Sequence, residues 1–157
     1  MRRQFGKTIV ELAEKDSNIV LLYGDVKQNM DEFEAKFPDR VFNVGICEQS
    51  MVSMAAGMAL SGLRPVIYSL TPFILERAYE QLKMDVGIMK SPVICACYAS
   101  YPTHGPSQTP LNPRTLVSVL PNFDYYEPVN FDDTERSLKL AHAMNKPAFI
   151  SLTRSAE

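Results

Sequence analysis

Residues 42–62 read FNVGICEQSMVSMAAGMALSG, and this stretch decides the fold. It opens on a short apolar strand that Gly45 ends. From Cys47 to Leu60 the pattern is helical and rich in Met and Ala, and Gly62 closes it, as a glycine commonly closes a helix. A strand followed at once by a helix is the repeating unit of a parallel sheet covered by helices.

The same alternation continues on both sides of this stretch, so we predict a three-layer α/β/α fold with a mostly parallel sheet, as one domain over residues 1–157. Ligands of such sheets collect at the carboxyl ends of the strands. The predicted strands are Ile19–Tyr23, Val41–Val44, Pro65–Leu70, Pro92–Tyr98, Asp124–Glu127 and Pro147–Leu152. The predicted helices are Phe5–Ala13, Met30–Phe37, Cys47–Leu60, Phe73–Met89, Pro113–Leu120 and Asp132–Met144, with Asp132 or Asp133 near the cap of the last. The segment Ala99–Pro113 is predicted to be a loop.

Composition excludes several classes of protein. A net charge of -2 gives no electrostatic case for binding nucleic acid. No apolar run approaches the roughly 20 residues that span a bilayer, and the N-terminus does not resemble a signal peptide. We therefore expect a cytoplasmic protein that binds neither nucleic acid nor membranes.

The chain has three cysteines, and this odd number without an export signal is typical of free thiols in a reducing compartment. Cys95 and Cys97 alternate along one predicted strand, so both side chains should lie on the same face of the sheet. Two thiols without a third ligand make a weak metal site, and we predict buried structural cysteines and no metal bound by this chain.

Glu48 is the most informative side chain, because it starts a helix whose remaining residues are almost all apolar. A helix with this composition should be buried nearly all round. Glu48 then points from a buried helix into whatever meets its N-terminus. Two interpretations stay open from the pattern alone: a functional carboxylate, or one that only favours the helix dipole.

The stretch from Phe42 to Gly62 resembles the central, pyrimidine-binding domain of transketolases, in which the segment reads roughly N-V-G-I-x-E-Q-x-M-x-x-x-A-x-G-x-A. It is also similar to deoxyxylulose-phosphate synthases and to the beta subunits of 2-oxoacid dehydrogenases. The resemblance continues through Arg77-Ala-Tyr-Glu-Gln81, Pro102-Thr-His104 and Ile150-Ser-Leu-Thr-Arg154, so it covers essentially the whole chain.

The resemblance implies thiamine diphosphate as the cofactor. The glutamate that matches Glu48 hydrogen-bonds N1′ of the aminopyrimidine ring, which makes Glu48 both a catalytic and a cofactor-binding residue. When bound, the cofactor serves as the electron sink of the reaction.

Further cofactor contacts follow from the same resemblance. The family places an aromatic residue on the pyrimidine at Phe73, although Ile74 takes that position if the register shifts by one, and an ordinary core role for Phe73 also stays open. Tyr68 is a lesser aromatic candidate, and Ile46 lies two residues before Glu48. Arg77, also a candidate cofactor contact, matches a family arginine, and contact with the substrate or with a helix-end carbonyl stays open for it.

Two residues are predicted to contact the substrate. His104 matches the family histidine that faces the active site, which makes it a catalytic and substrate-binding candidate, although Ser100-Tyr101 replaces the usual Asp-Gly before it. Arg154 resembles a transketolase arginine that binds a substrate phosphate, for which a guanidinium is well suited. A surface role for Arg154 stays open, and His142 is interpreted as a surface residue or a satisfied core residue.

The family holds the cofactor diphosphate through Mg²⁺ on a different domain, whose signature is Gly-Asp-Gly followed by an Asn. This chain has only Gly24-Asp25-Val26, without the second glycine or a suitably spaced Asn. We therefore expect a separate partner subunit to hold the Mg²⁺, with the cofactor between the two chains. By family analogy the assembly is a dimer of heterodimers, and the isolated chain forms a homodimer.

The resulting functional hypothesis is the pyrimidine-binding subunit of a split transketolase-like enzyme that transfers a two-carbon ketol or acyl unit between sugar phosphates or related carbonyl compounds. One alternative is a subunit of a 2-oxoacid-using synthase or decarboxylase. Another is a non-catalytic paralogue that stabilises a partner enzyme.

Overall fold

A computed structural model describes residues 1–99 and 105–152 of the chain. Its strands are β1 (Ile19–Tyr23), β2 (Val41–Asn43), β3 (Arg64–Leu70), β4 (Ile94–Tyr98), β5 (Asp124–Tyr126) and β6 (Ala148–Leu152). They form one six-stranded sheet in the order β2-β1-β3-β4-β6-β5, and every neighbouring pair is parallel. The parallel sheet predicted from the sequence is confirmed.

Helices fill most of the connections between strands. The α-helices are α1 (Arg2–Lys15), α2 (Asp31–Lys36), α3 (Glu48–Leu60), α4 (Thr71–Leu75), α5 (Tyr79–Gln81), α6 (Pro113–Ser118) and α7 (Phe131–Met144). A π-helical segment, Leu82–Ile88, follows α5 directly, and short 3₁₀ turns occur at Pro38–Arg40 and Pro106–Gln108.

The two faces of the sheet bury separate apolar clusters, which gives the three layers. On one face α1 and α7 pack against alternate strand residues, as Phe5 does against Tyr68. On the other face α3, α4 and the π-helical segment pack around Ile67. Because successive strand residues point to opposite faces, the apolar runs of the central strands are buried on both sides. The α/β/α fold class is therefore confirmed.

The long helix predicted over Phe73–Met89 is interrupted in the structure. The backbone N–H groups of Glu76 and Arg77 both donate to the carbonyl oxygen of Pro72, each at 3.1 Å, and the regular helix ends there. The Glu76 carboxylate accepts a hydrogen bond from the backbone N–H of Leu111 at 2.8 Å, which ties this break to the loop after β4. Tertiary contacts thus override local helix propensity.

The prediction that α3 is buried nearly all round is wrong for this chain. Met51, Val52 and Ala55 are buried, but the opposite face of the helix is exposed at positions that include Met54 and Leu60. The exposed face continues onto the π-helical segment, where the hydroxyl of Ser53 donates to Asp85 at 2.6 Å. We call this surface the methionine face: Met54, Leu60, Met84, Ile88 and Met89.

Cys95 and Cys97 are fully buried on the same face of β4, as their alternation predicts. Burial raises the pKa of the Cys95 thiol to about 12 and also that of Cys97, so both stay protonated. Cys47 is exposed. Within residues 1–99 and 105–152, no group of three or more His, Cys, Asp or Glu side chains is arranged to hold a metal ion.

The start of α7 differs from the prediction by a few residues. Asn130 is the N-cap, and its side-chain oxygen accepts a hydrogen bond from the backbone N–H of Asp133 at 2.8 Å. Asp132 and Asp133 lie in the first turn, where negative charge favours the helix dipole. Among the described helices, none is long and apolar enough to cross a membrane.

His142 is part-buried and joins two helices. Its ring lies 2.8 Å from a carboxylate oxygen of Asp16, joining the last turn of α7 to the end of α1. The other carboxylate oxygen of Asp16 accepts from the backbone N–H of Asn18 at 2.9 Å. Although burial acts to raise the pKa of Asp16, the hydrogen bonds from His142 and Asn18 outweigh it and hold that pKa below its usual value.

We expect Asp16→Asn to lower the free energy of unfolding by about 1 kcal/mol at neutral pH. A lowered folded-state pKa stabilises the fold above the unfolded value of about 3.9 and stops doing so as pH falls through the folded value. The deficit of the mutant should therefore shrink below about pH 4. Thermal unfolding from pH 3 to 7 measures it, with the exposed Asp39→Asn as control. A deficit independent of pH contradicts the ionic explanation.

Candidate active site

The carboxyl ends of β2, β1 and β3 lie side by side, because these strands are neighbours in the parallel sheet. The chain leaves β1 toward β2 and leaves β3 toward β4, in opposite directions along the sheet, and ligands of open α/β sheets bind where the strand order reverses in this way. The segments that follow the three strands contain Asp25, Glu48 and Phe73. The candidate site lies at this edge.

Asn43 fixes the turn that leads to Glu48. Its side-chain oxygen accepts hydrogen bonds from the backbone N–H groups of Gly45 at 3.0 Å and Asp25 at 3.3 Å, and its amide nitrogen donates to the Asp25 carboxylate at 3.2 Å. The turns after β1 and β2 are thereby joined. Sequence reasoning missed Asn43, although an Asn near a glycine after a strand is a recognised turn signal.

Two glycines are required where these turns touch. A Cβ on Gly24 would lie 2.3 Å from the carbonyl oxygen of Gly45, a contact that no side chain tolerates. Gly45 itself has φ +68°, in the left-handed region that glycine enters without strain. The close approach lets the chain turn directly into α3, with Cys47 as its N-cap residue.

Glu48 is the first residue of α3, and its side chain is only 1% exposed. Cys47 makes no side-chain capping bond, so the Glu48 carboxylate is the acidic group at this helix N-terminus. Burial disfavours an isolated carboxylate, while the helix dipole and a positive partner favour it. The structure supplies both, so the dipole interpretation and a functional interpretation of Glu48 are compatible.

Arg77 is the positive partner. Its Nη1 donates to Oε2 of Glu48 at 2.7 Å, and its guanidinium carbon lies 4.3 Å from the ring centroid of Phe73. The Arg77 side chain is 40% exposed, so the ion pair joins a solvent-exposed guanidinium to a buried carboxylate. Arg77 occupies the break between α4 and α5, 29 residues along the chain from Glu48.

The register question at α4 has a clear structural outcome. Phe73 is half-buried and contacts Arg77, whereas Ile74 is fully buried in the core beneath α3. Phe73 is therefore the residue at this position that a ligand can reach. Ile46 is 69% exposed and lies between Gly45 and the start of α3, two residues before Glu48.

Tyr68 does not join this group. It is fully buried on the α1 face of the sheet, with its ring 5.5 Å from that of Phe5 and 5.4 Å from that of Tyr98. Burial raises the pKa of Tyr68 well above its usual value. Tyr68 thus belongs to the core on the opposite side of the sheet from α3. The two predicted substrate contacts, His104 and Arg154, lie outside the described residues.

Comparison with known proteins gives a consistent result. Residues 1–156 match the family described as "Transketolase, pyrimidine binding domain". The 1-deoxy-D-xylulose-5-phosphate synthase of Clostridium tetani is 36% identical over 152 residues, which cover 94% of this chain and 24% of that protein. The corresponding enzyme of Clostridium perfringens is 35% identical over 157 residues, covering 98% and 25%.

A solved structure shares the fold. It is described as "Split gene transketolase, inactive beta4 tetramer", and it superposes with a TM-score of 0.89 at 31% sequence identity, covering 98% of this chain and 50% of that one. The chain spans about a quarter of the length of the curated relatives it matches. On the match over residues 1–156, the chain belongs to the transketolase pyrimidine-binding domain family of thiamine-diphosphate enzymes.

Proposed function

We propose that the chain is the pyrimidine-binding subunit of a split, transketolase-like enzyme that transfers a two-carbon ketol or acyl unit between sugar phosphates or related carbonyl compounds. The observation that carries the proposal is the buried Glu48 carboxylate beside the half-buried ring of Phe73. Both are contacted by one flat, nitrogen-bearing group, the guanidinium of Arg77. A carboxylate and an aromatic ring that both contact one flat, nitrogen-bearing group also suit an aminopyrimidine ring.

In the proposal the side chains of this subunit bind and orient the cofactor, which supplies the electron sink when it is bound. Glu48 holds a proton at N1′ of the aminopyrimidine ring. Phe73 packs on one face of that ring, and Ile46 excludes water beside it. Arg77 forms the ion pair with Glu48 in the chain without cofactor. The Asn43 brace keeps the turn before α3 rigid, which fixes the position of the Glu48 carboxylate.

The Mg²⁺ and the diphosphate are assigned to a second subunit. The family's diphosphate-binding signature is Gly-Asp-Gly followed by an Asn, and the nearest approach to it in this sequence, Gly24-Asp25-Val26, lacks the second glycine and a suitably spaced Asn. The described residues offer no cluster of three or more ligating side chains for a metal. The neighbouring solved structure is named an inactive β4 tetramer of a split transketolase, which agrees with a subunit that needs a second chain for activity.

His104 and Arg154 are proposed to recognise the substrate, His104 at its reacting end and Arg154 at a phosphate. In the sequence His104 comes after β4 and Arg154 comes after β6, and ligands of such sheets collect at the carboxyl ends of the strands. We place the enzyme in the cytoplasm, where Cys47, Cys95 and Cys97 remain reduced. A non-catalytic stabilising paralogue is less well supported, because a scaffold has no need of the buried Glu48.

A second candidate reaction uses a 2-oxoacid donor, and the 1-deoxy-D-xylulose-5-phosphate synthases among the relatives favour it. The two reactions differ in one product, because a 2-oxoacid donor loses carbon dioxide and a ketose donor does not. The test is to purify the chain with a co-expressed subunit that carries the diphosphate-binding module. A 2-oxoacid and a ketose phosphate are then supplied in turn with an aldose phosphate. Cofactor-dependent transfer from neither donor refutes the proposed function.

The methionine face is proposed to contact a second copy of this chain. An apolar surface spread over α3 and the π-helical segment is unusual on a protein that stays monomeric. The solved relative is a tetramer of a single kind of chain. In a symmetric pair each substituted residue appears at the contact twice, so one change acts on both halves.

We expect Met54→Lys to raise the dissociation constant of the self-assembled chain by roughly a hundredfold, because the charge loses its water at the contact. Sedimentation equilibrium at micromolar protein measures the change. Val119→Lys is the matched control, since Val119 is 72% exposed at the end of α6 and outside the methionine face. A monomeric wild type, or assembly unaffected by Met54→Lys, contradicts the assignment.

A further inference from the structure

The Glu48 carboxylate, which the proposed function assigns to the cofactor ring, is covered by other side chains in the structure. Its side chain is 1% exposed, yet the aminopyrimidine ring must reach it from outside the chain. The Arg77 side chain is 40% exposed and donates to Oε2 of Glu48 at 2.7 Å, so it lies on the solvent side of the carboxylate. Whatever approaches Glu48 from that side meets Arg77 first.

Arg77 also covers the aromatic ring. Phe73 packs against the core cluster on the α1 face of the sheet, and the guanidinium carbon of Arg77 lies 4.3 Å from its ring centroid. One side of the ring is thus occupied by the core and another by Arg77. A guanidinium is flat, carries several N–H donors and stacks on aromatic rings, and an aminopyrimidine shares these properties.

We propose that Arg77 is a gate. In the cofactor-free chain its guanidinium occupies the place between Glu48 and Phe73 that the aminopyrimidine ring requires, and it swings outward when the ring binds. The inference rests on the proposed function, because it takes the ring to be the ligand of Glu48. It differs from a positioning role, in which Arg77 keeps Oε2 and leaves the other carboxylate oxygen to the cofactor.

The backbone around Arg77 suits such a movement. The residue lies between the end of α4 at Leu75 and the start of α5 at Tyr79, outside either helix. Its N–H shares the Pro72 carbonyl with that of Glu76, so Arg77 is not held in a regular helical ladder. The π-helical segment Leu82–Ile88 follows closely, and such segments are frequent at functional sites.

The test uses the chain itself and a probe for the ring alone, 4-amino-5-hydroxymethyl-2-methylpyrimidine, with affinity measured by NMR titration. The informative variant is Arg77→Met, which keeps an apolar side chain over Phe73 and removes the competing guanidinium. A gate predicts that Arg77→Met binds the probe at least tenfold more tightly than the wild type, since no charge-assisted hydrogen bond must first be broken.

Two controls separate this effect from a general one. Arg114 makes the same pair of contacts elsewhere, a 2.8 Å ion pair with Glu127 and a guanidinium 5.1 Å from the ring centroid of Tyr125. Arg114→Met should leave probe affinity unchanged. In the Glu48→Gln background the gain from Arg77→Met should shrink, because the guanidinium no longer holds a carboxylate. If Arg77→Met does not fold, Arg77→Lys replaces it, with a smaller gain expected because an ammonium does not stack.

Each outcome decides the proposal. Equal or weaker probe binding by Arg77→Met overturns the gate, and if binding is still lost on Glu48→Gln, the proposed function stands with Arg77 as a positioning residue. No probe binding by any variant, up to the solubility limit, also overturns the gate, while the assembled enzyme decides the proposed function separately. A gain that persists undiminished in Glu48→Gln places the probe elsewhere and contradicts both.

Discussion

Replacing Glu48 by Gln should lower the turnover of the assembled enzyme by roughly 10²–10⁴-fold, the range that general acid–base catalysis contributes. The amide fills the same buried volume, but it cannot share a proton with N1′ of the cofactor ring. The side chain is 1% exposed, so water cannot take over that role. Steady-state rates of the wild-type and mutant complexes at saturating cofactor measure the effect.

The matched control is Glu80→Gln, which changes an exposed carboxylate in α5 to the same amide. It should retain wild-type turnover. Both variants should unfold cooperatively, which circular dichroism checks. If Glu48→Gln is as active as the wild type, Glu48 serves only the helix dipole, and the proposed function loses the observation that carries it.

The isolated chain should bind thiamine diphosphate at least a hundredfold more weakly than the complex with its partner subunit. In the proposed division of the site, the diphosphate and its Mg²⁺ are held by the partner subunit. Losing two charge-assisted hydrogen bonds to the diphosphate costs about 3–6 kcal/mol, which corresponds to roughly 10²–10⁴-fold in affinity. Titration calorimetry with cofactor and Mg²⁺, on the chain alone and on the complex, measures the difference.

The same titration with thiamine, which lacks the diphosphate, is the control. Its affinity for the isolated chain and for the complex should differ much less than that of thiamine diphosphate. Tight, Mg²⁺-dependent binding of thiamine diphosphate by the isolated chain contradicts the division of the site between two subunits.

The sheet was predictable because its signals are local. Apolar runs bounded by turn residues mark the central strands, and Ile19–Tyr23 matches β1 residue for residue. Glycine after a strand and a carboxylate at the start of an apolar helix singled out Gly45 and Glu48 in the same way. These features depend on a few neighbouring residues and on the period of each element.

The contacts that complete the site were not predictable, because they join distant parts of the chain. The helix break at Glu76 and Arg77 contains neither Gly nor Pro, so the sequence has no breaker there. The contact that fixes the break, from the backbone N–H of Leu111 to Glu76, comes from the loop after β4. The pairing of Arg77 with Glu48 depends on strand order, which periodicity does not report. The apolar pattern of α3 also did not distinguish burial within the chain from burial against another one.

The substitutions that α3 can accept are limited because one side of the helix packs in the core and another contributes to the methionine face. Glu48 is the only ionisable residue in its 13 residues, and most of the large apolar residues of the helix lie either in the core or on the methionine face. At a rise of 1.5 Å per residue, Met54 lies about 9 Å along the axis from Glu48. In the proposed assembly a polar substitution at most positions disturbs the interior or the contact with the second copy. Among related proteins, substitutions at the apolar positions of α3 should therefore exchange one small or apolar residue for another. Substitutions on the exposed faces of α1 and α7 should more often change the charge of the side chain.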